Sequence, residues 1–234
     1  MRIGLAQMEL KLGDVDHNVS QAQILLDDAE DNNVDILILP EMANSGYYFD
    51  SYEDVKEHSE KIPTGPLSKE LTKWSRKGSL VVAGINESTK DGLYNSAAII
   101  ANGKHLGTYR KHHLYGPEKE WFLRGPLEPP VFEYNELVFS VIICYEWNFP
   151  ARVKSASERG ANLIFHPVNS GNYRWRDAMQ SMAIDNGVFT ASSNRVGREG
   201  DCTFSGGSSI IDPKGELILE MDSQSHQVGW IDIG

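Results

Sequence analysis

The chain has little cysteine: two residues in 234, Cys144 and Cys202, with no CxxC pair and no Cys/His cluster. That excludes a disulfide framework and gives no sign of a structural metal site. Long apolar runs are also missing. Runs such as residues 36–39 and 141–144 fall far short of the roughly 20 residues that a membrane span needs. Met1 leads straight into Ile3-Gly4-Leu5-Ala6 without the apolar stretch of a secretory signal, so a cytoplasmic protein is expected. Basic residues are scarce too, 22 against 33 acidic ones, for a formal charge of −11. The imbalance is local, since residues 1–60 hold 14 acids and 3 bases while residues 61–234 hold 19 of each. This argues against a nucleic-acid partner, because phosphate backbones are bound by Lys and Arg. The acidic quarter reads as a solvated helix face and loop.

What remains is an ordinary globular composition, 40% hydrophobic, 24% charged and 9% aromatic, with no biased tract. A chain of this length buries roughly 70% of its unfolded surface in one core. A single domain over residues 1–234 is expected.

Hydrophobic periodicity predicts the elements. Residues 2–7 read as a strand, and residues 18–32 as an amphipathic helix with Val19, Ala22, Leu25, Leu26 and Ala29 on one stripe. The unbroken run Asp35-Ile36-Leu37-Ile38-Leu39-Pro40 reads as a strand buried on both faces. Gly65-Pro66 opens a helix to about Lys77, residues 79–86 form a strand, and residues 93–101 and 105–109 pair as a hairpin around Asn102-Gly103. The second half repeats the order: strand 137–144, helix 149–159, strand 161–166, helix 173–186, strand 188–193 and a hairpin over 208–219. Asp35-Ile36-Leu37-Ile38-Leu39-Pro40 matches Asn162-Leu163-Ile164-Phe165-His166-Pro167, and residues 98–104 match residues 209–215. Two copies of one unit with no linker between them predict a mixed α/β (α+β) fold with an internal pseudo-twofold repeat. Two sheets pack face to face with helices outside, as a four-layer α-β-β-α sandwich. A doubly wound single sheet is the alternative, which the hairpin closing each half weakens.

Three positions carry the chemistry. Cys144 ends an apolar strand, and Asn148 and Pro150 read as the cap and first-turn proline of a helix just beyond. Such an elbow presents a side chain among backbone N–H groups, and a nearby helix N-terminus favours thiolate. Glu41 follows the strand at residues 35–40, where partial burial would raise its pKa toward a general base. Lys111 follows the strand at 105–109 inside Arg110-Lys111-His112-His113. Singly, each has a plain structural reading: a small buried hydrophobe, a loop glutamate, a surface basic cluster.

Together, the Glu after Asp-Ile-Leu-Ile-Leu-Pro, the Lys in Tyr-Arg-Lys-His-His-Leu-Tyr and the Cys in Val-Ile-Ile-Cys-Tyr-Glu-Trp-Asn-Phe-Pro resemble the carbon-nitrogen hydrolase (nitrilase) superfamily. The resemblance runs from about Ile3 to Ile233 and takes in Ile-Gly-Leu-Ala-Gln-Met, Arg195-Val196-Gly197 and Asp212-Pro213-Lys214-Gly215. It implies a nitrilase-like sandwich and a Glu-Lys-Cys triad without cofactor or metal. Glu41 would be the general base, Cys144 the nucleophile, and Lys111 with the backbone N–H of Tyr145 the stabiliser of the new negative charge. It implies a substrate-positioning glutamate as well, for which Glu118 fits better than Glu120. Tyr47, Tyr115, Trp147 and Asn169 are the expected pocket neighbours, and Cys202 a bystander. The implied substrate is a small amide, nitrile or ureido compound, and the implied assembly a homodimer or dimer-based oligomer, with the apolar strand 227–233 able to exchange or cover an interface.

The expected activity is that of an aliphatic amidase, with nitrilase and N-carbamoyl amidohydrolase as alternatives. Arg174, Arg176 and Arg195 keep acidic substrates open. Other classes stand beside it: a Cys–His enzyme pairing Cys144 with His112, His113 or His166, an inactive homo-oligomeric scaffold, and a metallohydrolase, which the scattered histidines disfavour.

Overall fold

The computed structural model describes residues 1–76 and 78–233. Its core is two six-stranded sheets. The first runs β14-β1-β2-β3-β4-β5, from β1 (Arg2–Gln7), β2 (Ile36–Ile38), β3 (Leu80–Ser88), β4 (Leu93–Ala101), β5 (Lys104–Arg110) and β14 (Gln227–Asp232). The second runs β13-β12-β9-β8-β7-β6, from β6 (Val131–Tyr134), β7 (Leu137–Val141), β8 (Leu163–Pro167), β9 (Phe189–Ser193), β12 (Ser209–Ile211) and β13 (Leu217–Glu220). A small hairpin, β10 (Arg198–Glu199) with β11 (Cys202–Thr203), stands apart.

The two orders are the same pattern. Each has three parallel strands, β1-β2-β3 or β7-β8-β9, followed by an antiparallel pair and flanked by one antiparallel edge strand. Residues 227–233 are therefore used inside the chain: β14 pairs with β1 over Arg2↔Asp232 to Gln7↔Gln227. Two separate sheets also rule out the doubly wound alternative.

Alternation explains why the central strands are apolar throughout. Ile36 and Ile38 of β2 and Leu80 and Val82 of β3 face the other sheet, where they meet Phe139, Val141, Leu163 and Phe165. Their neighbours Leu37, Val81 and Ala83 face outward onto α1 (Val15–Asp31) and α3 (Pro66–Ser75). Successive side chains of a strand point to opposite faces, so a strand covered on both has no polar face to keep. On the other side α5 (Pro150–Glu158) and α6 (Arg174–Asn186) cover the second sheet through Val153, Trp175, Met179 and Met182. The four layers are α-β-β-α.

Several boundaries differ from the sequence expectation. Helix α1 starts at Val15, because the Asp14 carboxylate accepts the His17 N–H at 3.1 Å and caps it earlier. Helix α3 ends at Ser75, and the expected end at Lys77 lies outside the described residues. Strand β7 stops at Val141, and Cys144–Asn148 is a 3₁₀ turn. Asn148 closes that turn instead of capping α5, whose N-cap is Phe149 with Pro150 in the first turn. Two short helices that periodicity cannot register, α2 (Tyr52–Glu57) and α4 (Glu118–Trp121), join in a satellite cluster with Met42, Phe49, Leu93 and Phe122. That cluster lies over the carboxyl ends of β2 and β3.

Gly84 of β3 fixes the exit of β2. A Cβ there would lie 2.4 Å from the Glu41 Cα and 2.5 Å from the Pro40 carbonyl oxygen, both backbone atoms that cannot yield. Gly84→Ala is expected to lower stability by about 1–3 kcal/mol through overpacking. In a domain of this size that is a melting-temperature drop of about 2–4 °C per kcal/mol, readable by thermal unfolding.

Candidate active site

Four side chains that the sequence singled out converge where strands of both sheets end. Glu41 lies three residues beyond β2 and is fully buried. Lys111 directly follows β5, and its ammonium donates to Glu41 Oε1 at 2.7 Å and to Glu118 Oε1 at 2.8 Å with no exposed side-chain surface. The basic cluster thus divides: Arg110 turns away to a two-pronged pair with Glu87, while Lys111 turns in. Glu118, first residue of α4, also accepts from the Tyr47 hydroxyl at 2.8 Å and the Tyr115 N–H at 2.8 Å. Glu120 is exposed.

Cys144 occupies the first position of the 3₁₀ turn with φ +42°, a left-handed backbone that sets its side chain off the strand direction. Its thiol donates to the Asn169 carbonyl oxygen at 3.6 Å, and the Asn169 amide donates to the Glu41 carbonyl oxygen at 2.9 Å. Asn169 thereby ties the exit of β8 to those of β7 and β2. Tyr115 is exposed and lies 4.9 Å from the Tyr145 ring at the rim, and Trp147 packs in the same apolar cluster as Cys144.

The electrostatics follow from burial and neighbours. Burial raises the Glu41 carboxyl above its ordinary value, Lys111 opposes the rise, and Glu118 adds to it. Burial works against the Lys111 ammonium, but Glu118 and Glu41 outweigh it and raise its pKa. Burial and then the Glu41 charge push the Cys144 thiol well up, with Lys111 pulling down. The thiolate expected from a helix N-terminus is therefore corrected: α5 begins only at Pro150, and the resting group is a thiol.

No histidine takes part in a Cys–His pair among the described residues. The His166 ring meets the Cys144 carbonyl oxygen at 3.0 Å and the Ser192 hydroxyl at 3.0 Å, and burial lowers its pKa to about 4. The His113 ring stacks on Phe149 at 3.6 Å, and His112 Nδ1 meets the Gly125 carbonyl. Two of the three arginines are committed elsewhere. Arg195 is buried against Glu199 and the Leu10 carbonyl, and Arg176 pairs with Glu220. Arg174 is exposed at the start of α6.

Sequence reasoning missed three members of the site. Asn95 of β4 donates one amide to both Glu41 Oε1, at 2.7 Å, and Glu118 Oε1, at 3.1 Å. A single amide beside Ser96 in a mostly apolar strand was the available signal. Glu199 accepts the N–H groups of Tyr47 and Tyr48 at 3.0 Å each, which holds the Tyr47 loop. Glu146, two residues after Cys144, is fully buried among backbone donors.

Beside Glu118 lies a cavity of about 50 Å³ walled by Met42, Tyr47, Phe49, Tyr115, Trp121 and Phe122. A much larger cleft of about 710 Å³ opens at the opposite end of the sandwich, around Asp35, Tyr134 and Phe189, and none of the four side chains lines it. Of the four side chains, Glu118 alone lines the small cavity.

Known proteins resemble this chain over nearly its whole length. The chain is 34% identical over 234 residues to a nitrilase of Pyrococcus abyssi, covering 100% of this chain and 89% of that one. It is 31% identical over 241 residues to an N-carbamoylputrescine amidase of Arabidopsis thaliana, covering 92% and 80%. The solved structure of an amidase from Nesterenkonia sp. AN1 matches with a TM-score of 0.86 at 26% identity, over 100% of this chain and 93% of that one. The carbon-nitrogen hydrolase model matches residues 2–233, and the chain belongs to that family, whose members here hydrolyse small-molecule carbon-nitrogen bonds other than peptide bonds.

Proposed function

We propose that the protein is an aliphatic amidase that uses Glu41, Lys111 and Cys144 as a catalytic triad with Glu118 as a fourth, substrate-positioning carboxylate. The observation that carries this reading is the buried Lys111 ammonium, shared by Glu41 and Glu118 and felt by the Cys144 thiol.

The steps follow from the groups present. Glu41 accepts the thiol proton as Sγ attacks the amide carbon, so no free thiolate has to persist in a buried, anionic setting. The oxygen that gains charge is stabilised by the Lys111 ammonium and the Tyr145 N–H. The proton then passes to the leaving nitrogen, ammonia departs, and a thioester remains. Water activated by Glu41 cleaves the thioester, releasing carboxylic acid and restoring the thiol.

The cavity supports the choice among substrates. The cavity of about 50 Å³ beside Glu118 is walled mainly by aromatic and apolar side chains, with Glu118 as its one charged lining residue, which favours a small, uncharged group there. A Glu→Gln mutant of the Nesterenkonia amidase carries, at its active site cysteine, the Michael adduct of acrylamide in one structure and the acetamide moiety of fluoroacetamide in another, so small amide compounds reach that cysteine, and we take short amides as the first substrates to try here. Nitrile and N-carbamoyl substrates remain the alternatives, in line with the Pyrococcus and Arabidopsis relatives. The same reading takes the protein as a cytoplasmic homodimer; static light scattering is expected to give twice the 26.1 kDa chain mass, and a monomer mass would overturn that part.

Ammonia release from a panel of short amides, nitriles and ureido acids tests the activity. Amides of two to four carbons are expected to react fastest. Cys144→Ala and Glu41→Gln are each expected to lose about 10³-fold or more in kcat, since members of such a unit fail together. Unchanged release by Cys144→Ala would sink the reading.

The acid limb of the rate profile tests the base. Glu41 must be ionised to accept a proton, so activity should fall as pH drops through its raised pKa, at a pH above the ordinary 4.5 of a glutamate. Glu118→Gln removes a like charge that helps raise Glu41, so the limb should move to lower pH even where kcat falls. A limb that stays in place would mean that another group is the base.

A further inference from the structure

Lys111 and Cys144 leave from different sheets, β5 of the first and β7 of the second. The layer between those sheets is apolar, and apolar packing is non-directional. Something polar must therefore set how the two turns stand to each other, and one carboxylate touches both. Glu146 Oε1 accepts the backbone N–H groups of His112, at 3.0 Å, and His113, at 3.1 Å, the two residues after Lys111. Its Oε2 accepts the N–H of Ile143, just before Cys144, at 2.9 Å, and the hydroxyl of Tyr109, two residues before Lys111, at 2.5 Å. Arg152 backs this arrangement, with Nε 3.4 Å from Oε1 and Nη2 donating to the Tyr109 hydroxyl at 2.7 Å. The ring Nδ1 of His113 lies 3.6 Å from Oε1.

Glu146 also closes its own turn. Its N–H donates to the Ile143 carbonyl at 3.1 Å while its side chain takes the Ile143 N–H, so Cys144 is held between two fixed points in its left-handed conformation. The carboxylate makes none of its hydrogen bonds to the Cys144 thiol, to Glu41 or to the Lys111 ammonium among the described residues. Burial alone would raise its pKa, but the His113 side chain, Arg152, Tyr109 and the Ile143 N–H bring it down to about 2. It stays charged throughout the working range and moves no proton. An ionised group costs much to bury, and an apolar one of the same shape often stabilises a core as well.

We propose that Glu146 is a positioning residue, a buried staple that fixes the turn after Lys111 against the turn carrying Cys144 and so sets the separation of ammonium and thiol. This rests on the reading of Lys111 and Cys144 as reacting groups given above. Glu146→Gln keeps the volume and one acceptor but cannot receive donors on both sides, so one of the two turns comes loose. Tyr109→Phe removes a single O–H donor and loosens the same clamp less.

Two readouts separate this role from simple bracing of the fold. The first is steady-state kinetics on the best substrate of the panel. The second is the pH dependence of Cys144 alkylation by iodoacetamide, resolved by peptide mass spectrometry with Cys202 as internal reference. Glu146→Gln is expected to lose about 10- to 100-fold in kcat, the scale of an ångström-sized misplacement, while KM changes by less than about threefold. Its Cys144 alkylation profile should move to higher pH as Lys111 loses its hold on the thiolate, with Cys202 unmoved. Tyr109→Phe should shift both readouts in the same direction by less. A folded Glu146→Gln with kcat and the Cys144 profile unchanged would overturn the proposal, as would a rise in KM alone. Should Glu146→Gln fail to fold, Tyr109→Phe decides by the same criteria. Failure of the underlying reading looks different: Cys144→Ala would keep its activity, and the alkylation profiles would then judge the staple without reference to turnover.

Discussion

The site depends on one buried ammonium. Lys111 is fully enclosed, and both of its carboxylate partners are enclosed with it, at 2.7 and 2.8 Å. One positive charge against two negative ones leaves a net negative charge in a medium where an unpaired ion costs several kcal/mol. The rest of the site is arranged to carry that excess. Asn95 spreads one amide over both carboxylates, Tyr47 donates to Glu118, and the Tyr115 N–H takes the other Glu118 oxygen. Each of these donors is itself placed by something further out: Asn95 by strand β4, Tyr47 by Glu199, and Tyr115 by the turn that begins α4.

The duplicated fold explains where these groups come from. Pairing Ile3↔Ile36 in one half and Phe139↔Leu163 in the other makes β2 the counterpart of β8, and the Pro40 exit the counterpart of the Pro167 exit. Glu41 thus stands opposite Val168, and Met42 opposite Asn169. The two exits meet, since the Asn169 amide donates to the Glu41 carbonyl. Of two equivalent strand ends one supplies a carboxylate, and the other supplies the carbonyl and amide that hold the thiol and that carboxylate's backbone. Backbone strain gathers at the same place: Met42 has φ +50° and Cys144 φ +42°, both outside glycine. Positive φ in such residues costs of order 1–3 kcal/mol and persists only where the surroundings enforce it.

Much of this was legible from the residues. Apolar runs bounded by proline marked β2 and β8, and Asn-Gly and Pro-Lys-Gly marked the hairpins, because those signals are local. Glu41, Lys111 and Cys144 were each visible at a strand end, whereas Glu118, which opens α4, was reached only through the family resemblance. Asn95 and Glu146 were not visible, because their importance lies in partners 54 and 34 residues away in sequence. A carboxylate that receives backbone N–H groups from another segment leaves no periodicity and no motif. The short helices α2 and α4 were hidden for a related reason, since they are held by the satellite cluster around Met42 and Phe122 more than by their own six and four residues.

The thiol shows why an elbow in the sequence does not settle acid-base chemistry. An elbow with a helix close behind it argues for a thiolate, but here the helix begins six residues later, and the nearest charges are Lys111 and two carboxylates. The carboxylates outnumber the ammonium, so ionising Cys144 in place would add a third negative charge to a buried cluster that holds one positive one. Handing the thiol proton to Glu41 leaves the cluster's charge unchanged, whereas losing it to solvent does not. The same burial that makes a free thiolate expensive raises the Glu41 carboxyl, so in the proposed mechanism a single environment prepares donor and acceptor of one proton.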